Sequence, residues 1–355
     1  MLKYKKQIIA FSILPQIAFI KIIANFPEFV ERYYSNGLYL FISKLMHYSF
    51  GWLTFSVGDI FYTIISIYIL RWLFINRKRI INDTKHWLLD VLSALSIGYF
   101  TFHLLWAYNY YRLPLEKILQ IDSKYTTEEL MSFTNRLIEK ANETQIIISK
   151  NDTLKVEIPF TKTELLNLVP EGYSELSKQF PQFAYHPKSL KRSIYSLPLT
   201  YMGFSGYLNP FTNEAQIDGL IPKYNYPTTS SHEVAHQLGY AAENEANFIG
   251  SLAAIQHNNI YFKYSGYTFA LSHCLNEIYA RDQKQYEVIV KTINKGILKN
   301  YKEANIFWRK YQNPLEPVFK VSYNSFLKAN NQSKGIDSYN YVVALLVNYF
   351  KKNSL

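Results

Sequence analysis

The chain has 355 residues, 17% of them aromatic and 18% charged, with a formal net charge of +11 and one cysteine. That length gives room for two or three modules around a sizeable core. One cysteine excludes an internal disulfide framework, and an apolar share of 48% excludes wholesale disorder. So basic a balance invites a nucleic-acid reading, but the charge is misplaced for one. Residues 1–112 hold 12 Lys/Arg against 5 Asp/Glu, whereas residues 113–355 hold 26 against 22. The excess sits in the most apolar third and no clustered basic stripe follows it, so no nucleic-acid partner is expected.

In chain order, three apolar stretches come first, at about residues 7–24, 53–75 and 87–108. Each approaches the ~20 residues a helix needs to cross the hydrocarbon core of a bilayer. Gln16 and Lys21 interrupt the first, Asp59 and Arg71 lie near the ends of the second, and Asp90 and His103 lie in the third. Trp52, Trp72, Trp87 and Trp106, with Tyr108, Tyr110 and Tyr111, fall at the ends of the stretches as an interfacial aromatic belt would, and Arg112 reads as an anchor beside them. Lys3, Lys5 and Lys6 precede the first stretch, and Arg71, Arg77, Lys78, Arg79 and Lys85 cluster between the second and third. The loop between the first two has only Arg32 and Lys44, offset by Glu28 and Glu31. The positive-inside rule then puts the N-terminus and second loop in the cytoplasm and everything after Arg112 outside. The first stretch lacks a small-residue cleavage site and reads as an uncleaved anchor. The expected organisation is a three-span membrane anchor over 1–112 and an extracytoplasmic domain over 113–355.

In that domain, Thr126-x-x-Glu129 and Thr161-x-x-Glu164 have the form of capping boxes that open helices. Residues 193–197 and 203–208 look like strands, Asn209-Pro210 marks a turn, and residues 214–217 return as a third strand, giving a small antiparallel sheet. Helices are expected near 229–238, 244–257, 260–280, 283–297, 299–311, 315–329 and 337–351. The fold class is α+β, mostly helical.

The chemistry centres on residues 228–250, which contain HExxH as His232, Glu233 and His236. On a helix, positions i and i+4 share a face, so both imidazoles can reach one Zn2+ at ~2.0–2.1 Å, with Glu233 beside them as a general base for metal-activated water. Ser230 is placed to cap this helix, although a start at Thr228 or Thr229 would leave Glu233 freer. A catalytic zinc needs a third protein ligand. Gly239 allows the helix to end, and a second helix beginning near Ala242 would bring Glu243 to the metal, with Asn247 orienting a ligand and Glu245 as the competing third ligand. An oxyanion-stabilising group could be Tyr201, Tyr207, Tyr240, His257, Tyr267 or His273. Cys274 reads as a buried small hydrophobe.

His232-Glu-x-x-His236 followed by Glu243-x-x-Ala246-Asn247-Phe248 resembles the gluzincin metallopeptidases, though with a much shorter spacer. The portion through Gly239 resembles metzincins, but their third histidine would fall at Ala242. Over nearly its full length the chain is similar to a bacterial membrane family catalogued as domain of unknown function 3810. Three spans, then Trp106-Ala-Tyr-Asn-Tyr-Tyr-Arg112, Asn209-Pro-Phe-Thr-Asn-Glu-Ala215, the HExxH segment and Leu327 to Ser338 carry that likeness. The resemblance implies a zincin-like domain tethered to the bacterial inner (cytoplasmic) membrane, a multi-pass protein partnered by the lipid bilayer and acting on a peptide or protein substrate. It implies a zinc metallopeptidase with His232, His236 and Glu243 on the metal and Glu233 as base. The rival reading is a non-catalytic membrane protein with a structural zinc, or a degenerate peptidase that serves as a binding module. An edge strand within residues 203–217 would pair with an extended peptide.

Overall fold

The computed structural model describes residues 4–332 and 341–355; Lys3, residues 335–338 of the C-terminal motif and the first residues of the helix expected near 337–351 lie outside these. Helices α1 (Lys5–Ile23), α3 (Val57–Ile75) and α4 (Thr84–Leu105) are long and apolar enough to cross a membrane, and a lipid bilayer is the environment they suggest. Between α1 and α3 the chain is not a plain loop. It forms a wide-turned π-helix, Val30–Leu38, that runs into α2 (Tyr39–Phe50). Polar groups inside the apolar helices find one another: Ser12 Oγ lies 2.9 Å from Ser96 Oγ, and Gln16 donates to Ser96 Oγ at 3.0 Å, which ties α1 to α4. At the end remote from the helical domain, Asp90 pairs with Lys6 and, at 3.1 Å, with Arg79. The basic cluster therefore gathers at one end of the apolar helices and the rest of the protein at the other.

Both capping boxes are present. Thr126 opens α5 (Thr127–Ser149) and Thr161 opens α6 (Lys162–Gln179), each hydroxyl accepting from the amide three residues on while the glutamate returns to the cap amide. After the sheet come α7 (Tyr226–Gln237), α8 (Glu243–Ile255), α9 (Ile260–Arg281), α10 (Lys295–Tyr311), α11 (Glu316–Ala329) and α12 (Val342–Phe350). The helix expected over 283–297 is instead two: Gln283–Ile289 ends before α10 begins. Helix α8 is buried from Ala246 to Ile255, with α6, α7, α9 and α12 around it. Leu137, Tyr173, Val234, Phe248, Leu252, Leu271 and Leu346 are among the side chains that close this core. Each such side chain contributes roughly 1.5–3 kcal/mol on burial.

The sheet is mixed, not antiparallel. Strands β1 (Leu190–Arg192), β2 (Gly206–Asn209) and β3 (Glu214–Ile217) lie in the order β1-β3-β2, with β1 parallel and β2 antiparallel to β3. Residues 193–197 are not a strand. Ser193 Oγ accepts from Tyr195 N at 3.0 Å, bending the chain into a short helix, Ser196–Met202. That helix carries the chain across, so β1 meets β3 in parallel. The Asn209-Pro210 turn is as expected, with Asn209 Oδ1 accepting from Phe211 N and Thr212 N at 3.0 and 3.2 Å.

The sheet is docked on the N-terminus of α3. Glu214 accepts from Gly58 N at 2.5 Å and Val57 N at 3.2 Å, a carboxylate at the positive end of a helix. Asp59 answers from the helix: its carboxylate accepts from Ser193 Oγ at 2.9 Å, from Ile194 N at 2.8 Å, and from the Tyr207 hydroxyl. Replacing Asp59 by Ala leaves one buried and two part-buried donors unpaired at once, so thermal unfolding in detergent should show a loss of about 3 kcal/mol, with Asp59→Asn retaining part of it.

Candidate metal centre

Helix α7 begins earlier than Ser230. Pro227 lies in its first turn, where the missing N–H costs nothing, so the helix starts at Tyr226. Ser230 is thereby inside the helix and buried, and Glu233 is not drawn into a cap. His232 and His236 stand one turn apart with ring centroids 4.7 Å from each other. The helix stops directly after them. Gly239 has φ +85°, and Tyr240 N returns to Ala235 O at 3.1 Å, closing a left-handed helix end. Three residues later α8 starts at Glu243, its first helical residue, which suits a carboxylate. The two helices then cross closely at Gly250, where a Cβ would meet His232 N at 2.7 Å.

This turn brings three of the expected residues together. Glu243 Oε2 lies 3.3 Å from His232 Nε2 and 3.6 Å from His236 Nε2. Zinc–ligand bonds of ~2.0–2.1 Å in a tetrahedron separate neighbouring ligand atoms by about 3.4 Å, so both separations match an edge of such a site. His232, Glu233 and His236 also offer ligand atoms within 4.8 Å of one another. His236 Nδ1 is 2.8 Å from Tyr240 O, which holds a proton on Nδ1 and leaves Nε2 as the nitrogen that faces Glu243. Burial would depress the His236 imidazolium, but Glu243 outweighs it and pushes the group up to about 9. Burial would raise the Glu243 carboxyl, but the His236 and His232 imidazoles hold it well below the usual range. A cation would replace the protons in this arrangement. Glu233 is buried, and burial pushes its carboxyl up despite both imidazoles. Its Oε2 has no hydrogen-bond partner among the described residues. The edge strand β2 runs past it, since a Cβ at Gly206 would lie 2.6 Å from Glu233 Oε1.

Other expected residues fall elsewhere. Glu245 points away from the imidazoles and accepts from Leu115 N at 2.7 Å, and burial pushes its carboxyl up to about 7. Asn247 is buried, and its Nδ2 has no partner among the described residues. Tyr323 of α11 meets Glu243: its hydroxyl donates to Glu243 Oε1 at 2.5 Å, a contact nothing in the local pattern around 323 signals. Among the oxyanion candidates, Tyr207 is committed to Asp59, His257 to Leu168 O at 3.0 Å, and Tyr240 lies under Arg112. His273 of α9 sits near enough to His232 that burial together with that charge lowers it to about 4.

The anchor residues at the end of α4 are also not where the sequence put them. Trp106, Tyr111 and Arg112 are buried rather than interfacial. Trp106 Nε1 donates to His236 O at 3.3 Å, and Tyr39 of α2 donates to Gln237 O at 2.9 Å. Arg112 grips Glu31 through Nε at 2.8 Å and Nη2 at 2.7 Å, donates Nη1 to Gly239 O at 3.0 Å, and lies 4.0 Å over the Tyr240 ring. Gln237 Nε2 donates to Asn213 O at 2.6 Å, and Asn213 Nδ2 donates to the Tyr39 hydroxyl at 2.9 Å. The segments between and after the apolar helices thus hold the C-terminal end of the HExxH helix.

A family model described as "Protein of unknown function (DUF3810)" matches residues 34–347, and the chain belongs to that family. No curated protein and no solved structure matches the chain.

Arg112→Ala removes one member of a buried ion pair and strands the Gly239 carbonyl. Unfolding monitored in detergent should register a loss of about 3–5 kcal/mol, and Arg112→Lys should recover only part of it because lysine cannot fork between the two glutamate oxygens.

Proposed function

We propose that the protein is a membrane-anchored zinc-dependent hydrolase, specifically a metallopeptidase of zincin-like build, in a bacterial inner (cytoplasmic) membrane. The observation that carries this reading is the separation of Glu243 Oε2 from His232 Nε2 and His236 Nε2, 3.3 and 3.6 Å, beside a buried glutamate with one unpartnered oxygen. Two histidines and one glutamate leave a fourth position open, the ligand set of catalytic rather than structural zinc. When bound, zinc supplies Lewis acidity toward a carbonyl oxygen and lowers the pKa of water.

The chain's own residues do the rest. Glu233, whose carboxyl is pushed up by burial, takes the proton of the attacking water and passes it to the departing nitrogen. Tyr323 keeps Glu243 turned so that Oε2 faces the imidazoles. The Tyr240 carbonyl holds the His236 tautomer. Strand β2, at the edge of the sheet and alongside Glu233, supports an extended polypeptide as substrate, added as a further strand. The gathering of basic residues at the far end of the apolar helices supports an extracytoplasmic site.

Elemental analysis of the purified full chain should give about one zinc per chain, abolished in His232→Ala. Glu233→Gln should keep the metal and lose hydrolysis of a peptide library by about 100-fold or more. Full hydrolysis by Glu233→Gln with metal retained would favour a structural zinc. Tyr323→Phe should weaken zinc binding about 10–100-fold, read by competition with a chromophoric chelator, without changing stoichiometry at saturation.

A further inference from the structure

Two helices close to the candidate metal centre carry apolar side chains that no described residue covers. Ile194 and Leu197 lie at the short Ser196–Met202 helix, and Leu315, Val318, Val321 and Phe326 lie in and beside α11; they are 39% to 65% exposed. On α11, positions 315, 318 and 326 are separated by three and eight residues, which places them on one face, flanked by Val321. Lys320 projects from the other side, pairing with Glu316 at 2.6 Å, and Lys328 borders the apolar face one heptad beyond Val321.

The two groups form one strip. Tyr201 stacks edge-on against Tyr311 at 5.3 Å, and Asn313 Nδ2 donates to Tyr201 O at 2.7 Å, joining the short helix to the start of α11. Each end of the strip meets an apolar helix. At one end Ile194 N donates to Asp59 at 2.8 Å, at the start of α3. At the other, Phe326 packs against Phe102 of α4 at 6.1 Å and against Tyr110 at 6.2 Å. The strip therefore joins the domain-side ends of the two helices that are apolar enough to span a membrane.

We infer that this strip is seated in the leaflet of the bilayer that faces the helical domain, with α11 lying in the plane of the interface. Its continuity with α3 and α4 names the occupant: the lipid that surrounds those helices reaches the strip without a break. An amphipathic helix with an apolar face, a lysine opposite it and a lysine at its border is the form that rests at a headgroup boundary. Six contiguous exposed apolar side chains facing water would be a liability to solubility. The same helix supplies Tyr323 to Glu243, and Phe204 beside β2 packs on Tyr323 at 5.2 Å, so the metal centre is held directly against the bilayer surface. The seating itself does not rest on the zinc reading. What rests on that reading is its consequence, that the chains cleaved are those lying along the membrane.

The test uses the full chain in liposomes, with Val318→Cys, Val321→Cys and, on the opposite face, Lys320→Cys, each labelled with a nitrobenzoxadiazole fluorophore. Native Cys274 is buried, and the chain without an added cysteine measures its background. Phosphatidylcholine carrying a nitroxide near the top of its acyl chain should quench the labels at 318 and 321 at least twofold and the label at 320 far less, with aqueous iodide giving the reverse order. Equal iodide quenching at all three positions would overturn the inference. So would protection from iodide at 318 and 321 without quenching by the nitroxide lipid, which would put a second copy of the chain over the face. Leu315→Cys replaces either labelled position if that variant does not fold. None of these readouts needs metal, so a failed zinc assay and a failed seating remain distinguishable.

Discussion

Everything at the site depends on ending one helix within a turn of His236. A helix that stops leaves its last carbonyls without intrahelical partners, and each one buried and unsatisfied costs about 1–3 kcal/mol. Here the carbonyls of His236, Gln237 and Gly239 are taken by Trp106, Tyr39 and Arg112. All three donors come from the chain that links or follows the apolar helices. The anchor and the site are consequently one structural unit: the buried Arg112–Glu31 pair and the Gly239 turn stand or fall together, and Glu243 reaches the imidazoles only because that turn is closed.

The electrostatics follow from the same enclosure. Four ionisable side chains, His232, Glu233, His236 and Glu243, share a small, mostly dry volume. Burial alone would neutralise Glu233, His236 and Glu243. Glu243 and His236 escape by pairing, which drives the carboxyl down and the imidazolium up, while Glu233 stays close by without a strong partner and its carboxyl rises. Two glutamates ten residues apart in sequence are thus sorted into a ligand-like and a base-like environment by what each faces, not by their chemistry. Glu245, only two residues from Glu243, is sorted a third way, onto the Leu115 amide.

Features that depend on neighbours in sequence were legible without coordinates. The capping boxes at Thr126 and Thr161, the apolar helices, the i, i+4 pair of His232 and His236 and the break at Gly239 all arise within a few residues of chain. The sheet was half legible: the Asn209 turn is local, but the parallel pairing of β1 depends on a bend set by Ser193 and on Asp59, which is 134 residues away from it. Trp106 and Arg112 were misplaced for a physical reason. An aromatic–basic cluster at the end of an apolar helix has the same composition whether it faces headgroups or packs under a protein domain, and only the presence of α7 above it distinguishes the two. Tyr323 had no signal at all among 31 tyrosines.

The sequence by itself determined the elements and the inventory: three apolar helices, a helical remainder, and a set of imidazoles and carboxylates at metal-binding spacing. Those follow from periodicity and local hydrogen bonding, which act over one or two turns. Only the tertiary structure decided which glutamate faces the histidines, which tyrosine holds it, and that Arg112 is drawn beneath the site. Those are choices among chemically equivalent residues, and a choice of that kind is made by long-range packing and by the need to satisfy every buried carbonyl, to which the local pattern of a chain is blind.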